Sequence, residues 1–226
     1  NVNSSLDKRD LYNTPSSVSL ITSNKLSIKS ENHFEGLIDQ ITNLNYASGT
    51  SRPRYFQIRG IGERSHYAGE GPPNYSVGFL IDGMDFSGNG MIGHLFDVKQ
   101  IEVFKGPQST VFGPNAVAGS INITTNNPTP FYTGKFETNY SNDNLITHSL
   151  AFGGPIINSL SFRIAGTKHS QNGFRENVFL NKDDTNGKDE SFIRSKLLWQ
   201  PMNDLSISYT NLKSDLNNKY DAWAPD

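Results

Sequence analysis

The chain has 226 residues, with 20 Lys and Arg against 22 Asp and Glu, a formal net charge of −2 and no cysteine. That balance offers no basic field to nucleic acid and no long block of like charge, so nucleic acid is not an expected partner. The missing cysteines exclude disulfides, thiolate metal sites and cysteine nucleophiles, while the length allows one or two domains with a substantial core.

No window approaches about 18 consecutive apolar residues, so no spanning helix is expected. The first residues, NVNSSLDKRDLYN, lack the basic, apolar and small-residue zones of a signal peptide, which places any export signal upstream of Asn1. Low hydropathy does not exclude a membrane, because a transmembrane barrel alternates lipid-facing and lumen-facing residues and gives a weak signal per strand.

In chain order, the first strong strand signals are Tyr55 to Gly62, YFQIRGIG, and Ser76 to Asp85, SVGFLIDGMD. The densest information lies from Ile101 to Thr125, IEVFKGPQSTVFGPNAVAGSINITT. Ile101 and Val103 share one face of a strand whose other face carries Glu102, which reads as a half-buried strand. Gly106-Pro107 stops it, Gln108 to Phe112 gives a compact turn or helix, and Ser120 to Thr125 alternates Ile121 and Ile123 with polar neighbours. Periodicity alone fits any small α+β domain with a glycine-rich connection.

These three blocks, in this order, resemble the plug domain of TonB-dependent outer-membrane receptors. The resemblance runs from about Pro15 to Pro128, with TPSSVSLIT and FEGLIDQITNLNY (Phe34 to Tyr46) filling the family's early helix and strand. It implies an α+β plug domain with a small mixed sheet, followed by antiparallel transmembrane β-barrel strands, the N-terminal part of a plugged barrel of about 22 strands.

Pro128-Thr129-Pro130 removes two backbone donors in three residues and marks the expected junction, giving a plug over 1–130 and about five barrel strands over 131–226. The downstream runs are Phe131 to Ser141, Leu145 to Gly153, Ser159 to Ser170, Ser191 to Gln200 and Asp204 to Ser214. Each is near the 9 to 11 residues, roughly, that a tilted strand needs to cross a bilayer. Leu160, Phe162 and Ile164 oppose Ser161 and Arg163, and Leu205, Ile207 and Tyr209 oppose Ser206, Ser208 and Thr210, as an apolar outer face and polar lumen require. A soluble sandwich fits the same strands. Tight joins at Gly154 to Asn158 and Pro201 to Asn203 alternate with a long polar segment, Gln171 to Glu190, and with Asn217 to Asp226, as periplasmic turns and extracellular loops do; only Asn142 to Asn144 is a short external join.

Catalytic and metal signatures are absent from the sequence. Gly60-Ile61-Gly62 is followed by Ser65 where a dinucleotide loop has its third glycine, Gly113 to Ser120 lacks the lysine of a phosphate loop, and neither GxSxG nor HExxH occurs. Around Gly187, a calcium loop would start at Lys182 and end at Ile193, where carboxylates belong. The five histidines, His33, His66, His94, His148 and His169, have no ligand spacing. Neither an enzyme nor a resident metal or cofactor is expected.

Two glycine- and asparagine-rich segments that follow strands are candidate ligand contacts: Glu63 to Tyr75, with Arg64, His66, Tyr67 and Tyr75, and Phe86 to Leu95, with Phe86, Asn89 and His94. Ordinary exposed loops are the competing reading. The resemblance further implies that Arg59 and Lys105 face the barrel wall and pair with carboxylates there, the second with a weaker hold because the family's usual residue is arginine, whose fork lysine lacks. Gly60, Gly62, Gly83, Gly106, Gly113 and Gly119 are expected at tight turns of a plug that must seal yet move.

By that resemblance the intact receptor takes up a scarce solute, a ferric siderophore or similar iron chelate foremost, across the bacterial outer membrane. Its partners would be the ligand, outer-membrane lipid and the inner-membrane TonB complex, with the TonB-contacting motif expected upstream of Asn1. The alternative is a soluble α+β ligand-binding domain followed by a β-sandwich, in a surface adhesin or an enzyme's accessory module.

Overall fold

A computed structural model describes residues 16–29, 31–47, 51–63 and 75–219. The chain divides into two compact units between Thr125 and Asn126, each described by itself.

The first unit runs β1 (Val18–Thr22), α1 (Ser23–Lys29), a 3-10 helix at Phe34–Gln40, β2 (Leu44–Ala47), β3 (Tyr55–Ile58), β4 (Val77–Ile81), β5 (Met84–Asp85), a 3-10 turn at Gly90–Ile92, β6 (Val98–Lys105), α2 (Ser109–Phe112) and β7 (Gly119–Thr125). Its main sheet has the order β1-β6-β7-β4-β5. The β4–β7 pair is parallel and the other pairs are antiparallel, so the sheet is mixed. β2 and β3 form a separate antiparallel pair.

The core begins where alternation places Ile101, Val103, Ile121 and Ile123 on one face with Phe79, all 2% exposed or less. Phe34, Phe56 and Phe79 close over it with ring centroids 5.3 to 6.0 Å apart. Burying each such side chain contributes about 1.5 to 3 kcal/mol. The 3-10 helix that delivers Phe34 is capped by His33, whose Nδ1 accepts from the Glu35 backbone N–H at 3.1 Å, while Arg52 donates to the Glu35 carboxylate at 2.9 Å. The expectation of a half-buried strand at Ile101 to Lys105 needs correction: Glu102 is 0% exposed and accepts from the Gln100 amide at 2.7 Å. Both faces of this strand are covered, and alternation reports which side chains share a face without saying what lies over the second one.

The second unit is an antiparallel meander of β8 (Thr133–Ser141), β9 (Leu145–Ile157), β10 (Leu160–Gln171), β13 (Lys188–Met202) and β14 (Leu205–Leu216), in the order β14-β13-β10-β9-β8. Among the described residues this sheet is open, with β8 and β14 at its edges. β9 and β13 continue through Pro155 and Pro201, where strand ends had been expected. The register shifts near those positions, at Leu160/Ser161 and between Trp199 and Met202, and such irregularities tolerate a residue without a donor. The long polar segment after β10 holds a hairpin, β11 (Arg175–Asn177) and β12 (Lys182–Thr185), whose tip exposes Val178, Phe179 and Leu180.

The two faces of the meander differ in chemistry. Phe136, Leu150, Phe152, Ile164, Ile193, Leu197, Trp199, Ile207 and Tyr209 are exposed on one face. The other carries Thr147, Ser149, Thr167, His169, Arg163, Arg194 and Lys196, all buried, with Thr147 Oγ1 2.8 Å from His169 Nδ1 and Ser149 Oγ 3.0 Å from Thr167 Oγ1. No helix among the described residues is long and apolar enough to cross a membrane, which says nothing of a barrel.

Candidate functional site

The starts of β4 and β7 and the end of β6 share one end of the plug sheet, through the register Val77↔Gly119↔Lys105. The Asp82-Gly83 turn lies at the opposite end, where Asp82 accepts from the Thr125 N–H at 2.8 Å and from its hydroxyl at 2.6 Å. Gly60, Gly62, Gly83, Gly106, Gly113 and Gly119 all have positive φ, a backbone conformation that a side chain would strain; Gly119 has it as the first residue of β7, not in a turn.

At the Gly119 end, Tyr75 stacks on Tyr55 with ring centroids 6.2 Å apart and 25° between planes, and the Arg54 guanidinium lies 5.3 Å from the Tyr55 centroid. Arg54 Nε also donates to the Gly88 carbonyl at 2.9 Å. Gly88 has a φ of 75°, and a Cβ there would lie 2.2 Å from Tyr75 Cζ and displace the ring. Burial, and then the Tyr55 neighbour, push the Tyr75 phenol above its ordinary range, with Arg54 pulling the other way. Arg54 was not singled out in the sequence; the only signal for it was an Arg-Tyr pair opening a strand after Pro53.

Asp85 lies alongside. Burial raises its carboxyl pKa, but hydrogen bonds from Ser87, by hydroxyl at 2.5 Å and N–H at 2.8 Å, and from the Asn115 amide at 2.8 Å outweigh this and hold it below the usual value. The segment bearing Arg64, His66 and Tyr67 lies outside the described residues. Its flanks are tied together, since Glu63 Oε1 accepts from both the N–H and the hydroxyl of Ser76 at 2.8 Å. Phe86 is half-buried, with its N–H on the Phe79 carbonyl at 2.8 Å, and Asn89 is exposed at the start of the Gly90–Ile92 turn. His94 is placed differently: it is 4% exposed and meets His33 edge-on at 5.7 Å. His33 Nε2 lies 3.1 Å from the Met91 carbonyl, so the pair fastens this turn to the 3-10 helix.

Arg59 and Lys105, separated by 46 positions, lie close enough for the charge of one to act on the other. Burial, and after it the positive charge of Arg59, lowers the pKa of Lys105. Arg59 is exposed at a φ of 54°, its N–H held by the Asn43 carbonyl at 2.9 Å. Among the described residues no group of three or more His, Asp or Glu side chains could hold a metal ion.

Residues 10–120 match the family model described as the TonB-dependent receptor plug domain. The pesticin receptors of Yersinia enterocolitica and Yersinia pestis are 29% identical over 129 residues, 57% of this chain and 19% of theirs. Among solved structures, the ferric yersiniabactin uptake receptor of Yersinia pestis is similar with a TM-score of 0.76 at 23% identity, over 88% of this chain and 31% of that one. The alcaligin outer-membrane receptor of Bordetella pertussis gives 0.74 at 11% identity over 95% and 34%. The ferripyoverdine receptor of Pseudomonas aeruginosa gives 0.71 at 16% identity over 90% and 25%. The chain thus spans 19% of the pesticin receptors and 25% to 34% of these solved chains. The structural likeness shows the fold, a plug domain with a mixed sheet followed by antiparallel strands, and the match shows that residues 10–120 are a TonB-dependent receptor plug domain.

Proposed function

We propose that this chain is the N-terminal part of a receptor that takes up a ferric siderophore or similar iron chelate across the bacterial outer membrane, driven by the inner-membrane TonB complex. The observation that carries the reading is the plug match over residues 10–120 followed by five antiparallel strands with one apolar exposed face. In this reading residues 1–130 form the plug inside a barrel lumen, residues 131–226 begin the barrel, and the exposed face of the meander meets lipid. The role is binding and transport, and no enzymatic chemistry is assigned.

Tyr75, Phe86 and Asn89, with Arg64, His66 and Tyr67, would contact the ligand, and His94 would support them from inside the turn that it fastens. The aromatic and cationic groups, Arg54 among them, suit an anionic chelate with planar rings. Arg59 and Lys105 would lock the plug to barrel-wall carboxylates, and the charge of Arg59 acting on Lys105 supports that role. Solved relatives described as ferric yersiniabactin, alcaligin and ferripyoverdine receptors favour an iron chelate as the ligand.

The test is uptake of radiolabelled ferric chelates by cells that express or lack the receptor carrying this chain, under iron limitation, with and without functional TonB. Accumulation that needs both the receptor and TonB is expected for at least one chelate in a panel. Equal accumulation without the receptor, together with a water-soluble product, would favour the soluble binding-module reading instead.

A further inference from the structure

On the apolar face of the meander, β10 carries a residue with no side chain. Period-two alternation puts Ile164, Gly166 and Lys168 on the same side of the sheet. Gly166 pairs with Leu150 of β9 and with Ile193 of β13, and Leu150 pairs in turn with Phe136 of β8. Large apolar side chains therefore flank a position that has none. With Phe152 and Ile164 they line a hollow of about 540 Å³, inside the range of roughly 300 to 1,000 Å³ found for ligand pockets. The backbone does not demand glycine here: a Cβ on Gly166 would lie 3.4 Å from the Phe192 carbonyl oxygen and 3.8 Å from Ile193 Cγ1, which is ordinary contact. The missing side chain leaves space rather than relieving strain.

Polar groups gather at one end of the hollow. One step along from Gly166, Lys168 stands opposite His148 and Ser191, and His148 stands opposite Thr138, whose hydroxyl lies 3.1 Å from its Nδ1. A second exposed lysine, Lys213 of β14, is opposite Ile193. Lys168 and Lys213 each lie three residues before the end of their strands, at Gln171 and Leu216. The Lys168 ammonium is braced by the Asp189 carboxylate, with both side chains about half exposed, and an ammonium has three donors, so others remain for a further acceptor. On each side the acid lies one step beyond the lysine toward the strand ends: Asp189 pairs with Ser170, two residues past Lys168, and Asp215 follows Lys213 by two. Apolar surface thus gives way first to positive charge.

We propose that the hollow at Gly166 seats one acyl chain of a membrane lipid with an exposed anionic phosphate, and that Lys168 and Lys213 hold the phosphate. This rests on the reading of the meander as barrel wall, with the end of the sheet that bears the β11–β12 hairpin at the outer surface. A phosphorylated lipid matches both halves of the site, because its phosphate sits where its chain meets water, as the lysines sit where the apolar rows end. An inorganic anion would use the lysines and leave the hollow unfilled.

The test uses the full receptor in detergent, titrated with dimyristoyl phosphatidic acid or with dimyristoyl phosphatidylcholine, whose head group is net neutral. Native mass spectrometry counts the bound lipid. One phosphatidic acid is expected to bind with at least fivefold preference over phosphatidylcholine. Gly166→Leu, which fills the hollow, is expected to weaken that binding at least fivefold, as is Lys168→Gln combined with Lys213→Gln. Ile207→Phe, which adds bulk to the same face outside the hollow, is expected to leave it within twofold. Equal binding of the two lipids, or undiminished binding by Gly166→Leu, overturns the seat.

A phosphatidic acid with a photoreactive diazirine in its acyl chain gives a reading on the native receptor, without any variant. Crosslinks are expected at least threefold more often in residues 148–152 and 164–168 than in 205–209, and even labelling of the three segments overturns the seat. Those negative results leave the transport reading intact. A receptor that stays dispersed in buffer without detergent and does not enter bilayers overturns the membrane reading, and the seat with it.

Discussion

Gly119 is the residue at which backbone geometry constrains the plug most tightly. Its φ is 151°, and a Cβ there would lie 2.1 Å from the Phe104 carbonyl oxygen and 2.7 Å from Ile58 Cδ1. Gly119→Ala is expected to lower unfolding stability by about 3 kcal/mol, from strain and overpacking together. Gly60→Ala, at a φ of 80° with nothing within 4 Å, should cost only about 1 kcal/mol. Denaturant unfolding of the two variants side by side measures the contrast, and equal costs would mean that Gly119 has room to relax. The glycines themselves are plain in the sequence; that Gly119 opens a strand and sits against a neighbouring carbonyl is not, because close approach depends on the pairing of β6 with β7. Titration at single residues gives a second test. The Asp85 carboxyl is held below its usual value, so its contribution to stability is present above the unfolded value of 3.8 and lost as pH falls through the lower folded value. Asp85→Asn is expected to remove that acid-limb dependence, seen as a flatter stability curve below pH 4. Lys105 works in the opposite sense: its pKa is lowered from 10.5, so the folded state carries a penalty at neutral pH that is relieved as pH rises through the folded value toward 10.5. Lys105→Met should remove that alkaline rise, measured as denaturation midpoint against pH.

Strands and hairpins show where sequence reading succeeds and where it stops. The five meander strands were legible because alternation in β10 and β14 repeats over enough residues to fix a face, as with Phe162 and Ile164 against Arg163. Their ends were not, because Pro155 and Pro201 read as breakers while the register shifts let the strands continue past them. The hairpin of β11 and β12 escaped for a related reason, since three or four residues per strand are too few to show a period. The influence of Arg59 on Lys105 also lies beyond any local pattern, because 46 positions separate them and only the tertiary fold brings one charge within range of the other. The exposed apolar face of the meander separates the two readings of the second unit. Leu150 is 58% exposed on that face, and Leu150→Arg is expected to destabilise the receptor in lipid bilayers by about 2 to 4 kcal/mol, as for a charge at the midplane of a membrane barrel. On the solvated face of a soluble sandwich the same substitution should stay within about 0.5 kcal/mol. Urea unfolding of the receptor in liposomes, native against variant, distinguishes the two.

At the scale of the whole chain, the two units differ in how each hides its apolar surface. The plug encloses Phe34, Phe79, Ile101, Val103 and Ile121 at 0% exposure, a finished core with mixed-sheet topology. In the meander, long side chains such as Phe136 at 69%, Ile193 at 53% and Tyr209 at 58% remain uncovered, and β8 and β14 present unpaired edges among the described residues. Water opposes both features: a contiguous uncovered apolar face favours association, and an open edge pairs with other chains. A lipid or detergent phase satisfies the face, and further strands satisfy the edges. The 226-residue chain produced alone is therefore expected to associate in aqueous buffer and to become monodisperse only with detergent, with association driven by the meander. Light scattering across a detergent series measures this, and fusing soluble partners to each end controls for expression artefacts. Ile193→Ser with Tyr209→Ser should delay association without altering plug unfolding, because neither side chain belongs to the first unit. A monomer that stays dispersed in buffer and unfolds in one cooperative step would mean that the exposed face is solvated in the working protein, and the second unit would then have to be read as a soluble β-domain.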